Sequence, residues 1–260
     1  LKGVNLQEAQ LHEAKLKEAN LQGANLSGAT LTGANLHNVI MNYAILRNAK
    51  LHGVFLRCGD LSDAILTEAK LDRIQLRGAM LCNANLAKAR LKNADLSFAN
   101  LSDANLNEVD LEGANLYQAV LIKAHISNAQ LIRCNLISAN LYGADLSNSD
   151  LNHSDLSRAN LTKTDLSAAK LVGAKMIATV LAGSNLRNAD LCRTNLSDAY
   201  LVKAELGGCE LRRSNLSNAN LGDTQMYGAD LAGSNLLNAD FSNSQLEETH
   251  LNRAYLVNTN

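Results

Sequence analysis

The chain has 260 residues, a formal charge of −1, no proline or tryptophan, and aromatic residues at only 3%. Near-neutral charge makes neither a polyanion nor a polycation the default partner, and scarce aromatics exclude a core built from large rings, so small repeated side chains must fill it. No apolar run reaches the ~18 residues of a membrane span, and no basic stretch followed by an apolar one marks a secretory signal.

Cys58, Cys82, Cys134, Cys192 and Cys209 are odd in number and irregularly spaced. That argues against a disulfide framework or a zinc site. Buried or surface thiols in a reducing, cytoplasmic compartment are expected instead.

Leucine recurs at 1, 6, 11 and onward to 256 without a slip, giving 52 pentapeptides in which only Met41, Ile126, Met176, Met226 and Phe241 replace it. Two positions before each comes a small residue, Ala in 32 of 52 units, and none of these 104 positions carries a charge. Both sets must face inward. Period five smears around an α-helix at ~100° per residue, and on a continuous strand it sends alternate leucines to opposite faces. Within a unit, however, Ala24-Asn25-Leu26 reads in, out, in, and Ser27-Gly28 can turn the chain. Thirteen of the 16 glycines hold the second turn position, where a positive φ costs them little. One short strand and one corner per five residues makes a coil, and stacked coils pair as parallel strands.

Units such as Ala144-Asp145-Leu146-Ser147-Asn148 resemble the pentapeptide-repeat family, whose consensus is A-[DN]-L-x-x, and the resemblance covers all 260 residues. It implies an all-β fold, a right-handed quadrilateral parallel β-helix (a solenoid) with four units per coil, hence about 13 coils. At ~4.8 Å per coil the rod would be roughly 60 Å long. Residues 1–260 read as a single pentapeptide-repeat domain; starting at Leu1 in phase and ending in phase at Asn260, it is expected to be a fragment of a longer chain. Open strand edges at its ends would invite caps or end-to-end association.

With residues 20 apart stacked, outward columns can be followed along the chain. Ile40, Ile45, Phe55 and Ile65 form a small apolar group near the start. One column then changes sign: Lys50, Lys70 and Arg90, followed by Asp110, Gln130, Asp150, Lys170, Asp190, Glu210 and Asp230. Two antiparallel copies would match Lys50 with Asp230, Lys70 with Glu210 and Arg90 with Asp190, the self-complementarity that a lateral homodimer requires. Tyr117, Ile122, Ile132, Ile137 and Tyr142 make outward positions apolar in mid-chain, with Tyr117 expected under Ile137 and Ile122 under Tyr142. Such clusters mark contacts with partners, and this one is the candidate interaction surface.

From Ser149 onward the small inward position takes Ser or Thr twelve times, and never before. Each buried hydroxyl needs an acceptor, expected to be a backbone carbonyl of the same or the next coil. His153-Ser154-Asp155 unites three suggestive types, but Ser154 faces inward and its neighbours outward, so no triad forms. Asp145 and Asp165 are expected as a solvated pair, and Asn195, Asn215 and Asn235 as a side-chain ladder. No catalytic, cofactor or metal site is expected.

The leading function is therefore a non-enzymatic scaffold or protein–protein interaction module with an unidentified protein partner. The family resemblance implies an alternative, a DNA-mimicking binder of DNA gyrase or another topoisomerase. Residues 190–248 hold nine Asp or Glu against four Lys or Arg, but 47–92 hold nine basic against four acidic, where a duplex mimic should be acidic more evenly. Direct nucleic-acid binding is disfavoured by low charge and few stacking rings.

Overall fold

Each pentapeptide spends two residues on a bend. In the computed structural model, which describes residues 1–260, the leucine carbonyl accepts the N–H of the residue three further on, as in Ala24 N to Leu21 O at 2.9 Å and Ala29 N to Leu26 O at 3.0 Å. The second turn residue has φ between 52° and 70° in all 52 units, 13 with Gly and 39 without. A positive φ at that position closed by this hydrogen bond is the signature of a type II turn. The left-handed conformation costs an ordinary residue ~1 kcal/mol. Opposing that cost, the same residue's N–H reaches the next coil, as in Asn48 N to Thr67 O at 3.1 Å.

The middle outward residue makes the sheet-like contact. Ile45 pairs in parallel with Asn25 and with Ile65, each 20 residues away. Leu26 N donates to Ile45 O at 2.7 Å, and Ile45 N donates back to Ala24 O at 2.9 Å. One turn of backbone thus takes 20 residues, four pentapeptides. No helix is long and apolar enough to cross a membrane.

The chain forms two compact units, Leu1–Gln130 and Leu131–Asn260. In the first unit the bridges run from Asn5 with Asn25 to Asp110 with Gln130. Its interior is a stack of leucines and alanines, Leu21 to Leu121 being at most 2% exposed; each buried leucine contributes on the order of 2 kcal/mol. Gly59 is the exception at the small position. A Cβ there would collide with Leu56 Cδ2 and press on Val39 Cγ1 at 3.2 Å, so the space belongs to its neighbours.

In the second unit the bridges run from Asn135 with Asp155 to Asn235 with Tyr255. Its hydroxyls find two kinds of acceptor. Ser154, Ser184, Thr194, Ser214 and Thr224 donate to the leucine carbonyl three residues back, at 2.6–2.7 Å. Thr164 and Thr179 donate instead to Leu141 O and Leu156 O, 23 residues back, at 2.9 and 3.1 Å. The second acceptor lies in the preceding coil rather than the next one, because that coil's carbonyl points forward into the space the hydroxyl enters. Ser234 Oγ is buried without a partner.

Candidate interaction surface

Outward positions are built by the turns and the bridging residue. Asn and Asp at the bridging position do two jobs. Their Oδ1 accepts the N–H two residues on, closing the corner, as Asn25 does for Ser27 at 3.1 Å. The asparagine amides also donate to the coil before: Asn215 Nδ2 reaches Asn195 Oδ1 at 3.1 Å, and Asn235 Nδ2 reaches Asn215 Oδ1 at 3.0 Å. The ladder expected at these three residues is present. A second ladder, absent from the sequence reading, climbs the turn column Asp198, Asn218, Asn238 and Asn258 at 2.9–3.2 Å.

Asp145 and Asp165 pair across adjacent coils. Each closes its own corner, accepting from Ser147 N and Ser167 N at 3.0 and 2.8 Å. His153, Ser154 and Asp155 diverge: His153 is exposed on a turn, Ser154 Oγ is buried against Leu151 O at 2.7 Å, and Asp155 meets Lys175 Nζ at 3.7 Å.

The apolar residues singled out in mid-chain fall in both units. Tyr117 and Ile122 of the first unit, and Ile132, Ile137 and Tyr142 of the second, are all half-buried. They sit at the first turn position, where side chains in successive coils are only ~4.8 Å apart and cover one another. Within the first unit the Tyr117 ring stands edge-on to Phe98, centroids 5.6 Å apart at 80°, and the Arg77 guanidinium lies 4.9 Å from the Phe98 centroid. Within the second unit Lys163 Nζ lies 5.8 Å over the Tyr142 ring. More open apolar groups lie elsewhere: Phe55 is 52% exposed and Phe98 43%. Ile40 is also exposed, whereas Ile45 and Ile65 are half-buried. Sequence reasoning missed the Arg77–Phe98–Tyr117 contact because it joins two different turn positions in successive coils.

The charged column is ion-paired only in part within each unit. In the first, Lys50, Lys70 and Arg90 bridge in sequence, and Arg90 Nη2 lies 3.1 Å from Asp72 Oδ2. In the second, Asp190, Glu210 and Asp230 bridge in sequence, and Arg212 contacts Glu210 and reaches Asp230 Oδ2 at 3.4 Å. Donor atoms of Asp190, Cys192 and Glu210 lie within 4.8 Å of one another, the one grouping with metal-ligand chemistry. Burial, then the Asp190 carboxylate, pushes the Cys192 thiol up, and Arg212 already holds Glu210. Cys134 and Cys209 are buried, and burial pushes Cys209 up to about 12.

The model for pentapeptide repeats matches residues 1–33, 19–57, 31–67, 60–97, 99–136, 139–176, 174–213, 194–231 and 224–260. The chain belongs to the pentapeptide-repeat family. It is similar to HetL, a pentapeptide repeat protein involved in heterocyst differentiation regulation from the cyanobacterium Nostoc, at 30% identity, with 79% of this chain and 88% of HetL covered and a TM-score of 0.58. Rfr23, a pentapeptide repeat protein from the cyanobacterium Cyanothece, is 36% identical over 43% of this chain and 60% of its own, TM-score 0.27. QnrB1, a plasmid-mediated fluoroquinolone resistance protein, is 16% identical over 74% of this chain and 88% of its own, TM-score 0.35. No curated protein matches the chain. As a pentapeptide-repeat protein it is a right-handed β-helix.

Proposed function

We propose that this pentapeptide-repeat protein is a non-enzymatic scaffold, a protein–protein interaction module that presents a rigid, patterned surface. The observation that carries the reading is the division inside every repeat. Inward residues are interchangeable from coil to coil, whereas outward residues differ in charge, ring content and size. In this reading residues 1–260 are one repeat domain of about 13 four-sided coils. Its filled interior leaves open surface grooves, such as one of about 510 Å³ beside Cys192 and Arg212, which suit another protein's surface better than an enclosed substrate.

The contact residues we assign are Tyr117 and Ile122 on the first unit and Ile132, Ile137 and Tyr142 on the second. Affinity capture with the whole protein from its source cells tests this, repeated with Ile137→Asp. A specific protein retained by the native chain and lost with the variant supports the reading; no specific protein, or equal retention, contradicts it.

The stripe of Lys50, Lys70 and Arg90 with Asp190, Glu210 and Asp230 is proposed as a contact between two copies of the chain. Lys70→Glu should then lower the sedimentation coefficient at low salt, and an unchanged coefficient removes the dimer. A second reading, binding to DNA gyrase in place of duplex, draws on the acidic excess in residues 190–248. Arg212 between Glu210 and Asp230 weakens that excess locally. A supercoiling assay with and without the protein separates the two readings.

A further inference from the structure

One first-turn column of the first unit reads Lys17, His37, Arg57, Arg77 in successive coils. Basic side chains stacked at ~4.8 Å disfavour one another. Little within the unit relieves them. Arg57 Nη2 donates to the neutral Gln75 Oε1 at 2.7 Å, and the Arg77 guanidinium rests on the Phe98 ring. Lys17 meets only the exposed Glu18, at 3.4 Å. Both arginines are exposed and neither forms an ion pair.

Phe55 and Phe98 flank this column, 52% and 43% exposed even though the Arg77 guanidinium lies over the Phe98 ring. Two surface grooves meet there and share His37 and Arg57. One, of about 420 Å³, extends to Lys17 and Phe55; the other, of about 320 Å³, extends to Arg77 and Phe98.

We propose that this groove docks a short acidic segment of a partner protein, with an apolar side chain set between its carboxylates. The inference rests on the interaction reading above and names the chemistry of one partner. A guanidinium holds a carboxylate through two parallel hydrogen bonds, and exposed rings beside arginine are the composition that anchors interfaces. From Lys17 to Arg77 the column climbs ~14 Å, which an extended peptide at ~3.4 Å per residue spans with about four residues. A polynucleotide suits the groove less. Its affinity comes from neutralising many phosphates, and the first unit as a whole holds thirteen Lys or Arg against twelve Asp or Glu. The basic excess of residues 47–92, nine Lys or Arg against four Asp or Glu, is reversed in the rest of the unit, which holds four against eight.

Fluorescence anisotropy with the full chain tests the assignment. The probes are a labelled peptide of alternating Glu and Phe, its Gln and Phe counterpart, and an oligothymidylate. Saturable, salt-sensitive binding of the Glu peptide is expected, weakened about tenfold or more by Arg57→Glu with Arg77→Glu. The milder Arg57→Lys with Arg77→Lys should keep part of the binding, and it serves if the reversal shifts the melting curve. The assignment is overturned if the Glu peptide binds no better than the Gln peptide. It is equally overturned if binding survives charge reversal in a folded variant, or if the oligonucleotide binds more tightly. Should a captured partner be indifferent to both arginines, the interaction reading stands and the groove assignment falls.

Discussion

The two units share one backbone and fill it differently. In Leu1–Gln130 every small inward residue is Ala, Val, Ile or Gly; in Leu131–Asn260 twelve are Ser or Thr and two are Cys. Turn and bridge geometry nonetheless repeats from one unit to the other. The coil tolerates both fillings because each turn leaves leucine carbonyls within reach of a small hydroxyl, three residues back or 23 back. Size and leucine spacing specify the fold, and polarity at the small position is secondary.

The largest expected effect tests whether the leucine stacks are equivalent. Leu86→Ala in the first unit and Leu196→Ala in the second, both fully buried, should each cost ~2–5 kcal/mol. Urea denaturation measures both, and a marked asymmetry would show that the hydroxyls carry stability that leucine carries in the first unit. Alkaline pH comes next, and should act mainly on the second unit, which alone has inward thiols; in the first, burial also raises the half-buried Cys82 thiol. Burial raises Cys209 from 9.0 to about 12. Its contribution is therefore complete below the ordinary thiol value and lost as pH rises toward about 12, because the unfolded chain ionises first. Cys209→Ala should flatten the fall in the urea midpoint across that window, and an unchanged slope contradicts it.

The smallest effect is a pair of opposite sign within the second unit. Ser214→Ala removes a hydroxyl that donates to Leu211 O at 2.6 Å and should cost ~1 kcal/mol, whereas Ser234→Ala removes an unpartnered one and should be neutral or stabilising by about as much. Thermal melts of the two variants check the sign.

Much of this architecture was legible in the sequence, and particular residues show why. Leucine at every fifth place with a small uncharged partner can face inward only in a coil of short strands, and the buried positions from Leu21 to Ala239 follow it. The ladder at Asn195, Asn215 and Asn235 follows from the same spacing. The turns were legible only in part. A positive φ was expected where Gly sits, yet Glu8, Tyr43 and Arg133 adopt it too. Closure of the coil imposes that conformation, and residue preference does not reveal it. Nor did alternation reveal that Tyr117 is half-buried, because its ring meets Phe98 from the other turn position of the coil before. The cationic groove needed one more column: Lys17, His37, Arg57 and Arg77 form a pattern only when the chain is read 20 residues at a time.

The central claim is that inward residues hold the coil and outward residues do the recognising. Leu136 and Ile137 are adjacent in sequence, one fully buried and one half-buried on the surface, so they allow a direct comparison. Partner retention and thermal midpoint should be measured for Leu136→Ala and Ile137→Asp in the whole chain. The account predicts that Leu136→Ala lowers the midpoint and keeps the partner at temperatures below the melt. Ile137→Asp should lose the partner and leave the midpoint within a few degrees, roughly the shift that ~1 kcal/mol produces in a domain of this size. Retention unchanged in Ile137→Asp, together with loss in the still-folded Leu136→Ala, would contradict it.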